Sequence, residues 1–107
     1  DAGVIVLTAF VSPFREDRNS ARSLVKEGDF IEIYCAANLQ TCEERDTKGL
    51  YAKARAGEIK DFTGVSSPYE GPLTPELRID TGNKEIEDCI ELVLNKLIQL
   101  KIIPNNF

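Results

Sequence analysis

Val4-Ile5-Val6-Leu7-Thr8-Ala9-Phe10-Val11, running straight into Ser12-Pro13-Phe14-Arg15, is the stretch on which the fold turns. A short, nearly unbroken apolar run suits a strand covered on both faces, the kind that parallel sheets contain. It stops at Ser12-Pro13, where a helix is expected to begin. Ser12 suits the N-cap, Pro13 suits the first helical position, and Gly28 lets the chain leave a helix predicted over roughly residues 14 to 26.

The same order recurs downstream. Phe30-Ile31-Glu32-Ile33-Tyr34-Cys35 is a second strand candidate, followed by a helical stretch from about Leu39 to Asp46. Residues 47 to 75 are rich in charge, Gly and Pro and have no sustained apolar face. The reading there is a long mobile segment with a short helix near Tyr51 to Ala56. Leu77-Arg78-Ile79-Asp80 is a third, short strand, and Thr81-Gly82-Asn83 turns into a closing helix. In that helix Ile86, Ile90, Val93, Leu94, Leu97 and Ile98 form one apolar stripe expected to pack on the sheet. Repeated strand-helix order implies a single-domain α/β layered fold with parallel strands.

Composition narrows the function. The 107 residues carry 18 acidic against 13 basic side chains, a formal charge of -5. That balance argues against nonspecific binding to a nucleic acid polymer or an anionic membrane. No stretch reaches the roughly 20 apolar residues that cross a bilayer. Cys35, Cys42 and Cys89 have no paired metal spacing, and an odd number suits a reducing, cytoplasmic setting better than a disulfide scheme. There is no methionine, so the chain reads as a portion of a longer product with the remainder expected ahead of Asp1.

Two places promise chemistry. A strand ending at a helix start aims amides and a positive dipole end at one point, which favours anions. Arg15, Arg18 and Arg22 share one helix face beside it and could fork onto phosphate or sulfate oxygens. The plainer reading, favoured by spacing alone, is a wet face balanced by Glu16 and Asp17. The second place is the segment from Arg45 to Gly64, where Arg45, Lys48, Lys53, Arg55 and Lys60 gather in an otherwise acidic chain. Phe62, next to Thr63-Gly64, either stacks on a nucleobase or staples the loop to the domain. Gly57 and Gly64 either hinge a lid or end local structure.

Taken together, Phe10-Val11-Ser12-Pro13-Phe14 with Asp17-Arg18 and Ala21-Arg22, Cys42-Glu43-Glu44-Arg45-Asp46-Thr47-Lys48-Gly49-Leu50-Tyr51, Lys53-Ala54-Arg55-Ala56-Gly57, Phe62-Thr63-Gly64, Tyr69-Glu70 and Pro75-Glu76-Leu77 resemble adenylylsulfate kinase over almost the whole chain. The resemblance implies an α/β three-layer parallel sheet of the P-loop kinase type, present as an incomplete carboxy-terminal portion. It also implies transfer of the terminal phosphoryl group of ATP to the 3'-hydroxyl of adenylylsulfate, giving 3'-phosphoadenylylsulfate for sulfate assimilation. The partners implied are ATP with Mg2+, adenylylsulfate and the amino-terminal half of the domain, with a homodimer as the expected assembly.

Carried over by position, the resemblance places Val11, Ser12, Pro13, Arg18 and Arg22 around adenylylsulfate, with Ser12 as a binding residue that some relatives phosphorylate. Lys48, with Gly49 and Leu50, would meet phosphate or sulfate. Phe62, with Thr63 and Gly64, would stack on the adenine, and residues 47 to 64 would form the lid. Arg45, Thr81 and Gly82 would lie near the ATP adenine. The sequence departs from the family in having no Gly-rich phosphate loop and no upstream acidic segment, so the magnesium ligands are expected outside this chain. Ala36 and Asn38 stand where the family commonly has Asp and Pro, which leaves the turn there open. The rival function is a noncatalytic, kinase-like regulatory domain of an ATP sulfurylase.

Overall fold

Ile33, Tyr34 and Cys35 form strand β1, and Leu77, Arg78 and Ile79 form strand β2, in a computed structural model that describes residues 3–105. The two pair in parallel with Ile33 opposite Leu77 and Cys35 opposite Ile79. Leu77 N donates to Glu32 O at 3.2 Å and Ala36 N to Ile79 O at 2.7 Å, closing the ladder at both ends. Ala36, Ile79 and, in the crossover between the strands, Ala54 are the buried apolar residues among those described.

Four helices frame this ladder. Helix α1, Arg15–Ser23, precedes β1; α2, Leu39–Glu44, and α3, Leu50–Arg55, lie in the crossover; α4, Ile86–Gln99, follows β2. Each starts within a few residues of its sequence expectation, but the caps differ. Phe14, not Ser12, is the N-cap of α1, and its side chain makes no capping bond. The amide of Arg15 instead donates to Glu70 Oε1 at 2.8 Å, so a carboxylate 55 residues away satisfies one of the orphan donors of the first turn. Asn38 caps α2, its side-chain oxygen accepting from Thr41 N at 2.8 Å. The turn left open by the absence of the family's Pro is thus closed by an amide side chain. Helix α1 ends at Ser23 with Leu24 as its C-cap, short of the expected bound near residue 26, and Gly28, at φ +90°, lies in the turn beyond it.

Two expectations need correction. Residues 4–11 form no ladder among the described residues, and Val6, Leu7 and Phe10 are 77%, 84% and 84% exposed. A strand needs a partner along an edge, and neither β1 nor β2 pairs with this run; each pairs on one side only, with the other. The sheet among the described residues is accordingly two-stranded, as an incomplete portion of a larger layered sheet would be. The apolar stripe of α4 packs only in part: Val93, Leu94, Leu97 and Ile98 are half-buried and the helix meets β2, whereas Ile86 and Ile90 are 73% and 52% exposed. A radius of gyration of 16.0 Å, against about 13 Å for a compact chain of some 100 residues, reflects this unpacked surface.

Candidate functional site

The turn from residue 12 to residue 14 is held from outside its own segment. Arg18 donates one guanidinium nitrogen to Ser12 O and another to Glu70 O, and its Nε lies 3.2 Å from Glu32 Oε2. With side chains only 12% and 17% exposed, Arg18 and Glu32 form a largely desolvated pair. Pro13 O accepts from Glu70 N at 2.7 Å, and Arg15 Nε donates to Gly71 O at 2.7 Å. The Ser-Pro corner is therefore stitched to residues 70–71. Ser12 is engaged through its carbonyl, while its hydroxyl has no partner among the described residues. Val11 stands exposed at the edge of the corner.

Arg22 completes the same face of α1. Its guanidinium forks onto Glu76 at 2.9 and 2.8 Å and lies 3.6 Å from Glu32. Glu76 also accepts from Glu32 N at 2.7 Å. The forked bonds from Arg22 hold the Glu76 carboxyl below its ordinary range although burial opposes this, and the same bonds raise Arg22. The shared face predicted from spacing is present, but the balancing acids are Glu32 and Glu76, not Glu16 and Asp17. Both arginines thus spend their guanidinium groups on the protein, and the site residues expected to grip a ligand here act first as braces of the corner.

The crossover segment, expected as a long mobile stretch, carries hydrogen bonds of its own. Asp46 accepts from Lys48 N at 3.2 Å through Oδ1 and from Tyr51 N at 2.8 Å through Oδ2, fixing the start of α3. Gly49 makes the turn between them at φ +68°, a conformation that only glycine adopts without strain. Lys48 and Leu50 remain exposed. Arg55 near the helix end pairs with Glu43 of α2. Further on, Phe62 N donates to Ser66 Oγ at 2.8 Å, Gly64 N donates to Ser67 O at 2.7 Å, and Thr63 bridges Ser67. The Phe62 ring meets Tyr51 edge to face, centroids 4.8 Å apart.

Arg45, Thr81 and Gly82 come together directly: Arg45 donates to Thr81 O at 2.8 Å and to Gly82 O at 3.5 Å. No hydrogen bond, ion pair or aromatic contact joins this pair of loops or residues 47–64 to the Ser12 corner among the described residues. Glu32, Asp46, Tyr51, Glu70 and Glu76 had no assigned role from sequence, although all but Glu32 fall within the motifs quoted above. What tied them to the site was distance in space, which spacing does not encode. Among the described residues no three His, Cys, Asp or Glu side chains converge as a metal set. All three cysteines are free, and no helix among these residues is long and apolar enough to cross a membrane.

A parallel strand pair with helices in its crossover and a braced Ser-Pro corner define a small protein of the α/β class. The family model described as adenylylsulphate kinase matches residues 1–80, and the chain belongs to that family. It is 74% identical over 103 residues to an adenylyl-sulfate kinase of Prochlorococcus marinus, covering 96% of this chain and 51% of that one. With an adenylyl-sulfate kinase of Acaryochloris marina the identity is 58%, over 96% of this chain and 50% of the relative. The chain thus spans about half the length of the curated relatives it matches. In three dimensions it resembles the Mycobacterium tuberculosis APS kinase CysC in complex with AMPPNP and APS, with TM-score 0.74 and 47% identity over 79% of this chain and 50% of that one. The fold is accordingly the P-loop kinase type, of which these residues supply a carboxy-terminal portion.

Proposed function

We propose that the protein carrying this chain transfers the terminal phosphoryl group of ATP to the 3'-hydroxyl of adenylylsulfate, with these residues furnishing the adenylylsulfate pocket and its lid. The observation that carries the reading is likeness at 47% identity to a kinase held with AMPPNP and APS. Relatives that are kinases by name favour transfer over the regulatory alternative.

In this reading Val11, Ser12 and Pro13 line the adenylylsulfate pocket, and Arg18 and Arg22 hold that wall in place through Glu32, Glu70 and Glu76. The free Ser12 hydroxyl faces the nucleotide as a binding group, the same group a phosphoenzyme route would use. Phe62 stacks on the adenine between the turns made at Thr63 and Gly64. Lys48, exposed beside Gly49 and Leu50, offers its ammonium to phosphate or sulfate. Arg45 with Thr81 and Gly82 borders the ATP adenine. Magnesium bound with ATP would neutralise charge on the transferred group, its ligands being expected outside these residues. Three free cysteines agree with a cytoplasmic setting.

The test is phosphoryl transfer from labelled ATP to adenylylsulfate by the full-length product, with residues 1–107 as control. Labelled 3'-phosphoadenylylsulfate is expected from the former and none from the latter. A full-length protein that binds adenylylsulfate but never phosphorylates it would overturn the proposal.

A further inference from the structure

The two ends of the flap that would touch ligand, Lys48 and Phe62, are separated in sequence by α3, yet both are anchored to the same few side chains. Asp46 holds the amides of Lys48 and Tyr51 at 3.2 and 2.8 Å, and the ring of Tyr51 meets Phe62 at a 4.8 Å centroid distance and a 73° interplanar angle. Arg55 fastens the other end of α3 to Glu43. The backbone at Phe62 is pinned independently: its carbonyl accepts from the amides of Val65, Ser66 and Ser67 at 3.1, 2.9 and 3.0 Å, and its amide donates to Ser66 Oγ. With the backbone fixed, the ring orientation is the freedom that remains, and Tyr51 is the aromatic neighbour that restricts it.

We infer that Tyr51 is a positioning residue for the adenylylsulfate site, setting the Phe62 ring edge-on so that the Lys48 and Phe62 ends of the flap move as one body. The inference rests on the reading of Phe62 as the adenine-stacking ring. Its geometry is compatible with stacking, because an edge-to-face contact with Tyr51 occupies at most one face of the Phe62 ring. Stapling and stacking, alternatives from composition alone, are then two uses of one side chain. Tyr51 is half-buried, and burial pushes its phenol above the ordinary tyrosine value, consistent with a ring kept for packing rather than for proton transfer. A ring oriented before the ligand arrives avoids paying rotamer entropy on binding.

In the full-length protein, Tyr51→Leu is expected to raise the KM for adenylylsulfate about three- to tenfold, the range an aromatic pair accounts for, and to leave the KM for ATP and kcat near wild type. Tyr51→Phe, which keeps the ring, should restore the adenylylsulfate KM. Combined with Phe62→Ala, Tyr51→Leu should add no further loss. If the two penalties multiply instead, Tyr51 acts elsewhere and the inference fails while the Phe62 reading stands. Equal loss toward both substrates, following a drop in Tm, would likewise overturn it in favour of a purely structural role. Should Phe62→Ala alone leave the KM unchanged, the reading beneath the inference fails first and takes the inference with it.

Discussion

In the proposed reading, Phe62 is the single side chain that recognises the adenine. Phe62→Ala should weaken adenylylsulfate binding to the full-length protein roughly tenfold to a hundredfold through loss of one stacked base. Calorimetry giving unchanged affinity would remove Phe62 from the site. Lys48 is a different case, since its amide is held by Asp46 while the side chain is exposed. Lys48→Ala should lower turnover with Tm almost unmoved, because no packing is lost; a large fall in Tm would make Lys48 structural. At this scale the sequence was informative about residue type and face, and silent about partners. Arg18 and Arg22 were correctly placed together, but Glu32 and Glu76 reach them from β1's approach and from the start of β2.

Helix positions were legible in the sequence, whereas helix ends were not, because caps can be supplied from far away. Ser12-Pro13 has the composition of a helix start, yet Glu70 caps α1 and the Ser12 carbonyl serves Arg18. Asn38 shows the local alternative. At φ -70° it occupies a backbone conformation that proline also accepts, and it adds a side-chain acceptor that proline lacks. Asn38→Ala should destabilise the protein by about 1 kcal/mol, the usual cost of a lost cap, and Asn38→Asp should be tolerated. Chemical denaturation of the three proteins checks this; equal stability would mean that the bond to Thr41 N contributes nothing net. The run from Val4 to Val11 has the composition of a strand covered on both faces, yet it forms no ladder among the described residues and is exposed. Its pairing could not be read, because a strand's neighbours lie wherever the topology brings them.

For the molecule as a whole, the Arg22–Glu76 fork joins α1 to the entry of β2, and its strength depends on the charge of one carboxyl. The folded-state value of Glu76 lies below its ordinary 4.5, so its contribution is complete above the unfolded value and is lost as pH falls through the lowered one. Glu76→Gln should therefore lower Tm at neutral pH and flatten its decline below about pH 4.5. Parallel melting curves from wild type and variant across that range would contradict the linkage. Glu32 and Glu76 stand 44 positions apart, and the ladder beside them closes a loop of similar length. Closing so long a loop costs chain entropy before any strand contact rewards it, whereas Asp46, Tyr51, Phe62 and Ser66 are near neighbours in sequence. During refolding, the amides of Tyr51 and Phe62 should accordingly gain protection from deuterium before those of Ala36 and Leu77. The crossover segment would be assembled early, waiting for the sheet that carries it.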